Sequence, residues 1–210
     1  ESIRQWSTVH PEFTYLPRKF KIAIVGAGHD RAAVRVHDIG IEAYRNEAGA
    51  PVFRIFAGGG LGRTPYVAVK LREDLPVPEL LRYCEAILRV YNALGRRDNI
   101  YKARIKILIR EMKPDAFIKM VEDEYAALPA DYCLLTDELV QAVAARFPAP
   151  EFPRQDGGVL KAAMLDDRAL ARWVKQNTHP HKAPGYVSAV ISLKPVGGIA
   201  GDASADEMDI

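Results

Sequence analysis

The spacing of hydrophobic and polar positions predicts most of the elements in this chain. Apolar residues stand at Phe20 and without interruption from Ile22 to Val25, so 20–25 reads as a buried strand. Ile39, Ile41 and Ala43 alternate with other neighbours, Asn46-Glu47-Ala48-Gly49 supplies turn chemistry, and Pro51 to Phe56 returns as a second strand, which makes a hairpin the economical reading. Leu80, Cys84, Ile87, Leu88 and Tyr91 recur at helical spacing between Pro78 and Leu94. Pro78 suits the first turn of that helix and Gly95 its end. A second helix carries Ile105, Leu108, Ile109 and Met112 on one stripe and Lys102, Lys106, Arg110 and Lys113 on another. Residues 115–147 read as two further helices broken at Pro129, with Glu122-Asp123-Glu124 a solvated acidic face. Residues 1–14 read as a lead-in with no element of its own.

The proline- and glycine-rich stretch 148–158 is the best domain boundary, and it separates 1–147 from 159–210. Beyond it, 169–176 has a helical pattern and 186–193 alternates like a strand. Thr178-His179-Pro180-His181-Lys182 pairs two histidines. The proline between them and the lack of a nearby Asp, Glu or Cys point to a polar loop rather than a metal site.

Charge and cysteine content narrow the function classes. A formal net charge of +2 over 210 residues lacks the pronounced basic surface of a general nucleic-acid binder. No apolar run approaches the ~20 residues of a membrane span and no signal-peptide pattern opens the chain, so a cytoplasmic protein is expected. Cys84 and Cys133 stand far apart, each in a stretch read as helix. Neither has the close neighbour of a zinc or iron–sulfur ligand, and both read as free thiols.

Candidate chemistry concentrates at Leu16-Pro17-Arg18-Lys19-Phe20-Lys21, where three cations directly precede the apolar strand. In an extended segment Lys19 and Lys21 share one face while Arg18 and Phe20 share the other. Two neighbouring ammonium groups are tolerated in open water or opposite a multiply charged anion. A strand followed by Gly26-Ala27-Gly28, with Glu47 some ~20 residues on, also opens like a dinucleotide fingerprint. Arg31 occupies its third glycine position, however, and residues 38–44 alternate like a strand instead of forming a crossover helix. Gly58-Gly59-Gly60-Leu61-Gly62-Arg63 either lets the backbone approach a flat cofactor or a phosphate-like anion, or makes a tight turn out of the sheet. The basic stripe is either solvated or in contact with an anionic ligand or an acidic partner. Two readings stand on these residues apart from any resemblance: a nicotinamide-dependent oxidoreductase using Gly26 and Gly28, and a non-enzymatic α/β scaffold whose basic helix binds an acidic partner.

Leu-Pro-Arg-Lys-Phe-Lys before an apolar strand, the triple glycine after the hairpin and the arginine-rich entry to a basic helix resemble the haem-carrying subunit of the siroheme-dependent sulfite and nitrite reductases. Trp173-Val174-Lys175 with Tyr186 onward resembles, more loosely, the opening of that family's second half-domain. The resemblance implies an α+β fold, a mixed or antiparallel sheet covered by helices, followed by the start of a ferredoxin-like half-domain. It implies that Lys19 and Lys21 bind the anionic substrate and help supply protons, and that Arg18 and Lys175 contact siroheme carboxylates. It further implies six-electron reduction of sulfite or nitrite, a ferredoxin or flavoprotein electron donor, and a four-iron cluster whose cysteine ligands lie outside this chain. On this reading the chain is an internal piece of a longer reductase, inactive by itself.

Overall fold

The computed structural model describes residues 1–8, 10–153, 157–194 and 197–209. The chain forms two compact units, Glu1–Pro148 and Ala149–Ile210. The predicted linker 148–158 straddles this division, and its residues 154–156 lie outside the described residues.

The first unit opens with a helix, α1 (Ser2–Thr8), where the sequence suggested only a lead-in. Ile3 and Trp6 pack on the core, and so does Phe13 in the 3-10 turn that follows, so burial of large apolar groups pulls this stretch into an element. Strand β1 (Ile22–Val25) starts two residues later than its apolar run, and it is not buried throughout: Ile24 is 51% exposed. It pairs in parallel with β2 (Ile39–Arg45), Ile22 opposite Ile39. The connection between them contains a 3-10 turn, Val34–Val36, and no α-helix.

β2 and β3 (Pro51–Ala57) form the predicted antiparallel hairpin. Gly49, at φ 78°, donates its N–H to Asn46 O at 2.8 Å. A further strand, β4 (Val69–Pro76), completes a mixed sheet of order β1-β2-β3-β4. Its irregular pairing explains why alternation does not reveal it: Asp74 adopts φ 52°, and the register with β3 shifts between Phe53 and Ile55 and again between Ile55 and Phe56. Tyr44 fixes the kink, donating to Asp74 Oδ1 at 2.7 Å and accepting the Asp74 N–H at 3.0 Å.

Helix α2 (Leu80–Leu94) is the hub of the core, and Cys84, Ile87 and Tyr91 on its predicted stripe are fully buried. Its buried face is wider than a stripe, taking in Tyr83 and even Glu85. Glu85 is held by Arg89 Nε at 2.8 Å and lies 3.1 Å from His10 Nε2, so its charge does not go uncompensated. Helices α3 (Ile105–Met112) and α4 (Pro114–Ala127) pack beside it, followed by α5 (Asp137–Ala144). Glu122 is not on a solvated face: it accepts from the Tyr83 hydroxyl at 2.7 Å and pairs with Arg72 of β4. Cys133 is not helical either, since it sits in a turn at φ 52°.

In the second unit, α6 (Gly158–Asp166) and α7 (Arg168–Asn177) precede a short antiparallel pair, β5 (Thr178–Pro180) and β6 (Val187–Ala189). Thr178 to Pro180 is thus a strand and not a polar loop, and the predicted 186–193 strand contracts to three residues. A last short helix, α8 (Ala205–Met208), is closed by a capping box between Ser204 and Glu207. Among the described residues no helix is long and apolar enough to cross a membrane.

Candidate functional site

The cation-bearing segment bends at Pro17 and Arg18 and lies outside any strand, and contacts on several sides fix it. Pro17 presses on the end of α2, where a Cβ added to Gly95 would meet the proline Cγ at 2.5 Å. Arg97 donates to Tyr15 O at 3.2 Å, and Arg18 Nη1 donates to Ile100 O at 2.7 Å. Phe20 packs its ring 5.7 Å from that of Tyr91. Lys21 then joins the sheet through its backbone: its N–H donates to Asp38 Oδ2 at 3.0 Å and its carbonyl accepts from the Ile39 N–H at 3.1 Å.

A cavity of about 700 Å³ opens beside this segment. Phe13, Leu16, Phe20, Ile22 and Ile24 give it an apolar wall, and Arg4, Arg18 and Lys19 line it as cations. The exposure of Ile24 follows, because its side chain faces this space and not the core. Arg4 is committed to Glu1, at 2.6 Å, and this pairing holds the Glu1 carboxyl at about 2. Arg18 and Lys19 make no ion pair among the described residues. The cavity therefore has an apolar body and two cations available to an incoming anion. Lys21 is exposed and does not line it, so Arg18 and Lys19, and not the two lysines, are the pair that this space brings together.

The second basic region lies around the glycine run. Arg104 donates to Asp38 Oδ1 through Nη2 at 2.7 Å and Nε at 3.2 Å. Lys106 is 8% exposed instead of solvated, and its ammonium donates to Thr64 O at 2.6 Å and Leu61 O at 3.2 Å. Burial, and then the neighbouring Arg104 charge, push the Lys106 pKa down. The glycines are filled by the protein itself. A Cβ on Gly59 would stand 2.5 Å from Arg35 O, one on Gly58 2.8 Å from Ile109 Cδ1, and one on Gly60 3.0 Å from Lys106 Cδ. Their missing side chains make room for backbone, for α3 and for the two cations. Two adjoining clefts of about 540 and 520 Å³ share Arg63, Thr64, Tyr101 and Ile107, and Lys102 and Arg110 line the second.

The dinucleotide reading does not survive. The connection after Gly28 holds a 3-10 turn and no α-helix, Asp30 closes a local turn by accepting the Val34 N–H at 2.9 Å, and Glu47 stands exposed in the hairpin turn. Lys175 lies exposed on α7, in the second unit. Asp38, which the sequence displayed only as the polar start of an alternating strand, is the site residue that pattern reading missed. A lone Asp before an apolar strand carries no local signal of a partner 66 positions away.

The cavity beside Arg18 and Lys19 offers apolar surface together with two cations, chemistry that suits a ligand with apolar and anionic parts. An iron–sulfur cluster does not suit the two cysteines. Cys84 is buried in the core, where desolvation raises its thiol pKa to about 12, and among the described residues no group of three or more His, Cys, Asp or Glu side chains is placed to hold a metal.

A family model described as "Nitrite and sulphite reductase 4Fe-4S domain" matches residues 1–128. The chain is 30% identical over 125 residues to sulfite reductase (ferredoxin) 1 of Mycolicibacterium paratuberculosis, an alignment covering 60% of this chain and 22% of the relative. It is 35% identical over 115 residues to the sulfite reductase (NADPH) hemoprotein beta-component of Shewanella sediminis, covering 52% and 20%. The solved structure of the Mycobacterium tuberculosis NirA protein superposes with a TM-score of 0.54 at 28% identity, over 61% of this chain and 24% of that one. The alignments thus span about a fifth to a quarter of each of these longer chains.

Proposed function

The chain belongs to the nitrite and sulphite reductase 4Fe-4S domain family, and from that premise we propose that its first unit forms one wall of the siroheme pocket of a reductase acting on sulfite or nitrite. The observation that carries the proposal is the cavity of about 700 Å³ in which Arg18 and Lys19 stand against an apolar wall. Siroheme is a flat macrocycle edged with eight carboxylates. Burying it is tolerable only where cations meet those carboxylates and apolar side chains cover its faces. Bound there, siroheme would supply the iron at which the six-electron reduction takes place.

The residues of this chain have three tasks on this reading. Arg18 pairs with a cofactor carboxylate while its bond to Ile100 O keeps the guanidinium in place. Lys19, which lines the cavity, and Lys21, exposed two positions further on, attract the small oxyanion and deliver protons that water replaces. The apolar wall excludes water from the ring and strengthens each of these charge interactions. Electrons would come from a ferredoxin-type or flavoprotein donor through a cluster bound by cysteines other than Cys84 and Cys133. The second unit, two helices and a strand pair, would open a ferredoxin-like half-domain. The test is Lys19→Met and Lys21→Met in the complete reductase: turnover with reduced methyl viologen falls at least tenfold in each while siroheme content is unchanged. Wild-type turnover in both variants would overturn the assignment.

A further inference from the structure

Stretches that lie far apart in the sequence meet at one buried carboxylate. Asp38 is 1% exposed. Its Oδ2 accepts the Lys21 N–H at 3.0 Å, its Oδ1 accepts Arg104 Nη2 at 2.7 Å, and its backbone carbonyl accepts the Gly58 N–H at 3.0 Å. One residue thus ties together the lysine segment, the glycine run and the arginine that precedes α3.

We propose that Asp38 is a positioning residue, which anchors the Lys19–Lys21 segment to the Arg104 guanidinium so that Lys19 keeps its place at the cavity for an anionic ligand. The ligand meant is the carboxylate-edged macrocycle of the preceding section, and the proposal rests on that reading.

Stability alone is a poor reason for such a group. A buried ion pair recovers little more than the cost of its desolvation, whereas a charge fixed on both sides gives a defined geometry. The chemistry of the site requires an aspartate. Its two oxygens are both acceptors, and one takes a neutral backbone N–H while the other takes a guanidinium. An asparagine has a single acceptor oxygen, so its amide N–H groups would face either Lys21 or Arg104. Asp38 also offsets the repulsion between Arg104 and Lys106, which lie side by side at Gly60. Among the described residues the Arg104 guanidinium donates to Asp38 alone, through Nε and Nη2, so the anchor is a two-point contact. Arg104 lines the cleft of about 540 Å³ and not the cavity beside Lys19, so its part at the cavity is played through Asp38.

The test uses the 210-residue chain and two readouts. In Asp38→Asn, hydrogen exchange at the Lys21 amide and at residues 104–107 rises at least tenfold, while exchange in α2 is unchanged. A role confined to overall stability would move α2 as well. In absorbance titrations with siroheme, Asp38→Asn and Arg104→Gln each bind at least tenfold more weakly than wild type, and the double variant binds no more weakly than Arg104→Gln alone, because the two residues form one ion pair that anchors the segment. Wild-type exchange and affinity in Asp38→Asn, or losses that add in the double variant, would overturn the proposal. Were Asp38→Asn to unfold, Arg104→Gln decides the matter by the same exchange readout: a faster Lys21 amide supports the proposal and an unchanged one overturns it. A wild-type chain that takes up no siroheme would defeat the pocket reading, and the exchange data would still decide whether Asp38 holds the two motifs.

Discussion

Pro17 lies so close to Gly95 that a methyl group added to the glycine would stand 2.5 Å from the proline Cγ and 2.6 Å from Tyr91 O. Gly95 ends α2 with its N–H bonded to Tyr91 O at 2.8 Å, in a backbone conformation open to any residue, φ −64° and ψ 137°. Its lack of a side chain is needed for the close approach and not for the turn. The segment that carries Arg18, Lys19 and Lys21 is thereby seated on the most buried helix of the molecule.

Gly95→Ala is therefore expected to destabilise the first unit by ~1–3 kcal/mol, the usual cost of forcing an extra carbon into a filled space. The shift is read as a lower urea midpoint with an unchanged slope. An unchanged midpoint would mean that the proline segment moves aside freely.

Arg18→Ala should weaken siroheme binding by ~1.5–3 kcal/mol, the worth of a charge-assisted hydrogen bond, or roughly tenfold and more in affinity. Fold stability should change less, because the bond lost inside the protein is a partly exposed one to Ile100 O. Equal cofactor occupancy in wild type and variant would remove Arg18 from the pocket.

Alkaline pH probes the core. Burial raises the Cys84 thiol from 9.0 to about 12 and the Tyr91 hydroxyl from 10.0 to about 12. The folded protein thus retains protons that the unfolded chain releases, so stability is present in full below about 9 and falls as pH rises toward 12. The urea midpoint should hold between about pH 7 and 8.5 and drop steadily above 9. At pH 8 Cys84 should resist a thiol reagent until the protein unfolds. A flat midpoint through pH 11 would show that the buried groups open locally before they titrate.

How far the sequence disclosed this structure depends on whether each signal is local. The hairpin and α2 were legible because their turn residues and apolar spacing are written within a few positions. β4 was not, because its bulge at Asp74 breaks the alternation that marks a strand. The identities of Arg18, Lys19 and Lys21 stood out as charge placed before an apolar run. Their grouping did not: facing by alternation holds within a strand, and the strand begins only at Ile22. Lys106 was read as solvated because helical spacing placed it on a basic stripe, yet the carbonyls of Leu61 and Thr64 bury it. Asp38 acquires its meaning only from Arg104, which the fold and not the sequence brings beside it.

If the cavity beside Arg18 and Lys19 receives a carboxylate-edged macrocycle, the purified chain binds siroheme and not a dinucleotide. In an absorbance titration with siroheme, run in parallel with NADH, the siroheme spectrum should shift saturably, the shift should weaken in Arg18→Ala, and NADH should give no saturable signal. A siroheme spectrum unchanged by the protein, or saturable binding of NADH, would show that the cavity serves another ligand.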